Sequence, residues 1–60
     1  MFTEKSILRD FKNGVLKNGV YSNEIKGGKL LVANILNGLL VIEVWNKVDM
    51  SLIKRKEYLR

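Results

Sequence analysis

Residues 29–45 read KLLVANILNGLLVIEVW. Asn37-Gly38 is the residue pair favoured at the two φ > 0 positions of a type I′ turn, and both flanks are rich in aliphatic and β-branched residues, so the stretch predicts a β-hairpin. A two-residue turn also fixes the register. Leu36 then faces Leu39, Ile35 faces Leu40, Asn34 faces Val41, Ala33 faces Ile42, Val32 faces Glu43, Leu31 faces Val44 and Leu30 faces Trp45. Because side chains alternate between faces, Leu31, Ala33, Ile35, Leu40, Ile42 and Val44 share one face, which reads as core. Leu30, Val32, Asn34, Leu36, Leu39, Val41, Glu43 and Trp45 share the other. A hairpin with one wet side does not need so apolar a second face, so the chain's own helix, a second copy or a partner must cover it.

Sixty residues make one domain, near the lower limit for a chain that folds alone. A core of this size supplies only about 3–5 kcal/mol, and small chains usually add disulfides, a metal or oligomerisation. Cysteine and histidine are absent. That excludes disulfides and any zinc or haem site built on sulfur or imidazole, and leaves self-association as the expected supplement. The missing cysteines also suit a reducing cytoplasm. Eleven Lys and Arg against six Asp and Glu give a net charge of +5, which favours polyanionic partners: nucleic acid, anionic lipid or an acidic protein. The N-terminus lacks the pattern of a secretory signal. Leu30–Trp45 is too short for the roughly 20 residues of a helical membrane span and contains Asn34, Asn37, Gly38 and Glu43, so no membrane span is expected.

Upstream, Thr3 suits a helix N-cap, with Glu4 near the positive end and Lys12 near the negative end. Ile7, Leu8 and Phe11 lie on one side at helical spacing, Lys5, Arg9 and Lys12 form a separate basic stripe, and Asn13-Gly14 ends the helix. The tetrapeptide KNGV occurs at 12–15 and 17–20, a spacing that reads as two turns rather than stacked repeats. Val20–Ile25 reads as a strand, and Lys26-Gly27-Gly28 turns into the hairpin. Beyond Trp45, Asn46-Lys47 reads as a tight turn and Val48, Met50 and Leu52 alternate as in a further strand. Lys54–Arg60 is either a short helical turn or a last strand. The expected fold is α+β, mainly β: a short N-terminal helix followed by a small antiparallel meander or SH3-like barrel around a central hairpin at residues 30–45.

The stretch from Val20 to Leu59 resembles small SH3-like barrels in outline, with a central strand ending in Trp45, a turn, an alternating return strand and a short last segment. This resemblance implies a closed sheet and carries over no functional residue.

Catalytic chemistry has little to work with. Thr3, Ser6, Ser22 and Ser51 have no imidazole partner, and the acids Glu4, Asp10, Glu24, Glu43, Asp49 and Glu57 are scattered without metal-ligand spacing. Gly27-Gly28-Lys29 has the ending of a phosphate-binding loop, but Asn23 stands at the upstream glycine and Leu30 at the magnesium-binding hydroxyl, so that motif is rejected. No catalytic residue, metal or cofactor is expected. Glu43 reads as a strand residue facing water or pairing with Lys29, Lys47 or Lys54 rather than as a buried catalytic acid.

The basic residues are the better lead. Lys54, Arg55, Lys56 and Arg60 cluster beside Tyr58, a spacing suited to phosphate contacts with one ring free to stack; a solvated tail accounts for the same residues. Lys5, Arg9 and Lys12 would extend that cluster if both lay on one side of the domain. Tyr21 and Trp45 are the remaining aromatics of interest. Trp45 is either a stacking platform or, as expected of a lone Trp, buried against Leu30 and the helix. A helix of about ten residues covers about half of a two-stranded face, so Val32, Val41 and Trp45 are expected at or near a homo-oligomer contact. Two functions follow as expectations. One is a non-enzymatic nucleic-acid-binding protein, DNA or RNA, working through phosphate contacts. The other is a protein-interaction module, a small regulator or inhibitor, using the apolar sheet face for dimerisation or partner binding.

Overall fold

The computed structural model describes residues 3–60. One helix, α1 (Glu4–Lys12), precedes four strands: β1 (Gly19–Ile25), β2 (Lys29–Leu36), β3 (Leu39–Asn46) and β4 (Leu52–Leu59). They form one antiparallel sheet in the order β1-β2-β3-β4. Of the two expected architectures the meander is the one present; the sheet is not closed, and β1 and β4 are its edges.

The β2–β3 hairpin has the expected register from Leu36↔Leu39 to Leu30↔Trp45. Asn37 at φ 51 and Gly38 at φ 83 supply the two left-handed residues that the turn needs.

Local chemistry also sets both ends of α1. The Thr3 hydroxyl accepts from the Ser6 N–H at 3.1 Å, and the Thr3 N–H donates back to the Ser6 hydroxyl at 2.9 Å, a capping box with serine in the usual Glu or Gln position. At the other end the Gly14 N–H donates to the Phe11 carbonyl and the Val15 N–H to the Asp10 carbonyl. With Gly14 at φ 73, this is a Schellman stop, which glycine adopts without Cβ strain.

Ile7 and Phe11 of α1 pack on Leu31, Ala33, Ile35, Leu40, Ile42 and Val44, with Leu8, Leu16, Tyr21, Ile25 and Tyr58 around them. The first hairpin face is therefore the core, as expected, but the helix lies on that same face. This corrects the arrangement that put α1 over the second face with Trp45 beneath it. Six aliphatic side chains, unbroken by a polar residue, are the stronger apolar surface, and one helix can cover only one side of a sheet. Trp45 instead lies half-buried on the opposite, open face.

The chain after Trp45 departs from a second expectation. Residues 47–49 are turn, not the start of a strand. The Asn46 Oδ1 accepts from the Val48 N–H at 2.9 Å, and the Asp49 Oδ1 accepts from the Ser51 N–H at 3.0 Å and the Ser51 hydroxyl at 2.7 Å. These local bonds compete successfully with strand pairing despite the Val48/Met50/Leu52 alternation, and Val48 is left 90% exposed. The last segment is a strand, the second of the two alternatives for Lys54–Arg60.

A bulge fixes which way β4 faces. Leu52 pairs with Trp45, yet Lys54 pairs with Val44, so Ile53 is an extra residue. Without it Ile53 would oppose Val44 and every later side chain would change sides. With it Lys54, Lys56 and Tyr58 align with Val44, Ile42 and Leu40 on the helix side, while Arg55, Glu57 and Leu59 align with Glu43, Val41 and Leu39 on the open side.

Candidate polyanion-binding surface

Strand β4 runs alongside α1 in the same direction. At one end the Lys54 ammonium donates to Glu4 Oε2 at 2.8 Å. This bond, reinforced by the charge of Glu4, raises the Lys54 pKa above the ordinary lysine value. At the other end the Arg60 guanidinium lies over Gly14, about 3.3 Å from where a Cβ there would stand. The Arg60 N–H also donates to the Gly38 carbonyl at 2.9 Å, which ties the end of β4 to the hairpin turn.

Residues four apart stack along one side of a helix. Glu4 reaches β4; Leu8 follows about 40° round the helix, and Lys12, Lys5 and Arg9 lie successively farther round toward solvent, Lys12 nearly level with Lys5. Lys12 is exposed in the last turn of α1, the end of the helix next to Gly14, over which Arg60 lies. Among the described residues no ion pair engages Lys5, Lys12, Lys56 or Arg60; Arg9 pairs with its neighbour Asp10 at 3.1 Å. The half-buried Tyr58 supplies the floor of the strip, packed against the core.

Of the eight residues singled out for phosphate contact, Lys5, Arg9, Lys12, Lys54, Lys56, Tyr58 and Arg60 lie on the helix side. Arg55 does not join them. Its guanidinium lies on the open face, 3.6 Å from Glu43 and bonded to Glu57. Glu43 is therefore paired with Arg55, and not with Lys29, Lys47 or Lys54; its second oxygen accepts from the Trp45 indole N–H at 3.3 Å.

Charge is sorted by face. Glu24, Glu43 and Glu57, the acids of the strands, all lie on the open side, whereas Lys29, Lys54 and Lys56 lie on the helix side. Sequence reading missed Lys29, whose parity with Leu31 was available to find it. It also missed that edge strands extend the open apolar face with Val20, Leu52 and Leu59. Val20 follows from its pairing with Asn34, but Leu59 depends on the bulge, which leaves no mark in the residue pattern. Val32, Val41 and Trp45 all lie on this open face, half-buried. Tyr21 lies on the helix side, with its hydroxyl on the Lys17 carbonyl at 2.8 Å.

No family model, curated protein or solved structure matches the chain. Among the described residues no group of three or more acids stands close enough to hold a metal ion, and no helix is long and apolar enough to cross a membrane. A cleft of about 510 Å³ beside the start of α1 is lined by Ile25, Leu31 and Val44 and by Thr3, Glu4, Lys26 and Lys29. It offers the Glu4 carboxylate, already bonded to Lys54, and lysine ammonium groups, without a paired base and nucleophile. What the helix side can do chemically is donate charged hydrogen bonds to an extended series of anionic oxygens.

Proposed function

We propose that the protein is a non-enzymatic nucleic-acid-binding protein that grips backbone phosphates with the helix side of its sheet. The observation that supports this best is that Lys12, Lys56 and Arg60, none of them ion-paired among the described residues, lie on the helix side of the sheet, with the strand carboxylates turned to the opposite face. Lys5 and Arg9 extend the strip, and Lys54 joins it with part of its charge engaged by Glu4. Contacts of this kind go to phosphate and are blind to base sequence. A cysteine-free chain is suited to carry out such binding in the cytoplasm.

Fluorescence anisotropy with a labelled DNA duplex, an RNA duplex and a single-stranded RNA, each titrated over a salt series, tests the reading. Binding should weaken linearly in log–log form as salt rises. Failure to bind any of the three at low salt would refute it. Polyglutamate binding as tight as nucleic acid would assign the strip to an acidic protein instead.

One specific observation favours a second reading, a protein-interaction module: the outer face of the sheet is apolar and nothing in the described chain covers it. The two readings use opposite faces and are compatible.

A further inference from the structure

We infer that the open face of the sheet is covered by a second copy of this chain, giving a face-to-face β-sandwich dimer with both helices outside. The inference rests on the interaction-surface reading and is independent of nucleic-acid binding.

Area is the first argument. Four strands about 4.8 Å apart and about 25 Å long present a flat projection of roughly 500 Å². Side-chain relief raises the accessible area toward the roughly 800 Å² per partner of a standard stable interface. The dimensions agree with Cα extents of 33 × 20 × 15 Å, a thin slab with one broad side under the helix and the other bare. A patch of this size is large for a monomer. Its apolar side chains run from edge to edge: Val20 on β1, Leu30 and Val32 on β2, Val41 and Trp45 on β3, Leu59 on β4.

Charge selects the occupant. A chain of net charge +5 repels its own copy unless the charges point away from the contact. Here the unpaired cations of the α1–β4 flank do point away. The charges on the open face largely offset one another within the chain: Arg55 stands between Glu43 and Glu57, and Glu24 pairs with Lys47, which leaves one carboxylate in excess. An acidic partner would be drawn to the helix side, and a basic one would find only a single excess carboxylate, beside Arg55, on the open face. The surface that fits is another apolar sheet face of small net charge, which a second copy provides. A two-fold axis near the middle of the face, where Val32 pairs with Glu43 and Asn34 with Val41, brings Val32 and Val41 close to their own counterparts. The dimer would then carry a basic strip on each outer side.

Sedimentation of the nuclease-treated full chain, from low micromolar to submillimolar concentration, tests the inference. The expected result is twice the 6.9 kDa chain mass. Val41→Lys, which faces away from the core, should weaken association about a hundredfold by setting like charges across the axis, with the circular dichroism unchanged. A 6.9 kDa species throughout, or a dimer that Val41→Lys leaves intact, overturns it. Should Val41→Lys not fold, single cysteines in this cysteine-free chain give a second reading. Val32→Cys should oxidise rapidly to a covalent dimer and Lys17→Cys slowly; equal rates overturn the inference. Binding of an apolar dye separates the two failures. A monomer that binds dye in a Val41-dependent way keeps an open interaction surface without self-association, whereas a monomer that binds none refutes the interaction-surface reading as well.

Discussion

Arg55 and Lys56 are neighbours in the chain, yet their alanine variants should behave differently toward nucleic acid. Each phosphate contact on duplex DNA contributes about 0.9 to the slope of log affinity against log salt. Four unpaired cations, Lys5, Lys12, Lys56 and Arg60, therefore give a slope of about −3.6, and affinity falls about 150-fold between 50 and 200 mM salt. Lys56→Ala removes one contact, which lowers the slope to about −2.7 and the loss over the same range to about 40-fold. Arg55→Ala should leave the slope unchanged. Its guanidinium is engaged with Glu43 and Glu57 on the far side of the sheet. Anisotropy titrations of both variants at four or five salt concentrations measure the two slopes directly, and far-UV circular dichroism confirms that both remain folded. An Arg55→Ala slope as shallow as that of Lys56→Ala would refute the reasoning, since phosphates would then be meeting the open face or the β4 edge.

Phe11→Ala removes the largest helix anchor, a side chain 1% exposed, at a cost of about 3–5 kcal/mol. That equals most of what so small a core supplies, so circular dichroism should show an unfolded chain at room temperature; a cooperative melt close to wild type would show that α1 is held by other contacts. Gly38→Ala places a Cβ at φ 83 and should lower stability in denaturant by about 1–2 kcal/mol, whereas Asn37→Gly should change it little; equal effects would contradict the type I′ turn. Glu4→Gln should return the raised Lys54 pKa toward its ordinary value, read by NMR titration. The Glu4–Lys54 contribution to stability is complete below the ordinary lysine range and fades as pH rises through the raised value. Asp49 has the opposite sign. The Ser51 hydroxyl, and then the Ser51 N–H, hold its pKa below the ordinary carboxylate value. Its contribution is present above that range and fades as pH falls through the lowered value, and Ser51→Ala should bring the Asp49 midpoint back up.

Residues 29–46 and α1 were legible because their determinants are local. Asn37-Gly38 selects a turn whose two-residue length leaves one register, and Thr3, Ser6 and Gly14 mark the helix boundaries within a few residues of chain. The face chosen by α1 was not local. It depends on which side of the finished sheet offers the better apolar contact, and both sides of the hairpin looked suitable in isolation. The unbroken set of Leu31, Ala33, Ile35, Leu40, Ile42 and Val44 won over a face interrupted by Asn34 and Glu43.

Strand β4 was the least legible element, and the bulge at Ile53 explains why. Its residues, LIKRKEYL, carry no apolar alternation that would assign Lys54 to one face and Arg55 to the other. Partners found only in the assembled sheet decide the phase. With the bulge, Tyr58 reaches the core edge and Lys54 reaches Glu4, while Arg55 finds two carboxylates on the open side. Without it, Arg55 and Glu57 would lie beside the helix, and Lys54, Lys56 and Tyr58 would lie among Glu43, Val41 and Leu39. Glu57 would then stand on the helix side, and two lysines would enter the open face. One extra residue therefore separates a surface able to attract phosphates from a surface able to meet an uncharged sheet. The four basic residues near the end of the chain, Lys54, Arg55, Lys56 and Arg60, could not reveal that separation, because in sequence all four look like one site.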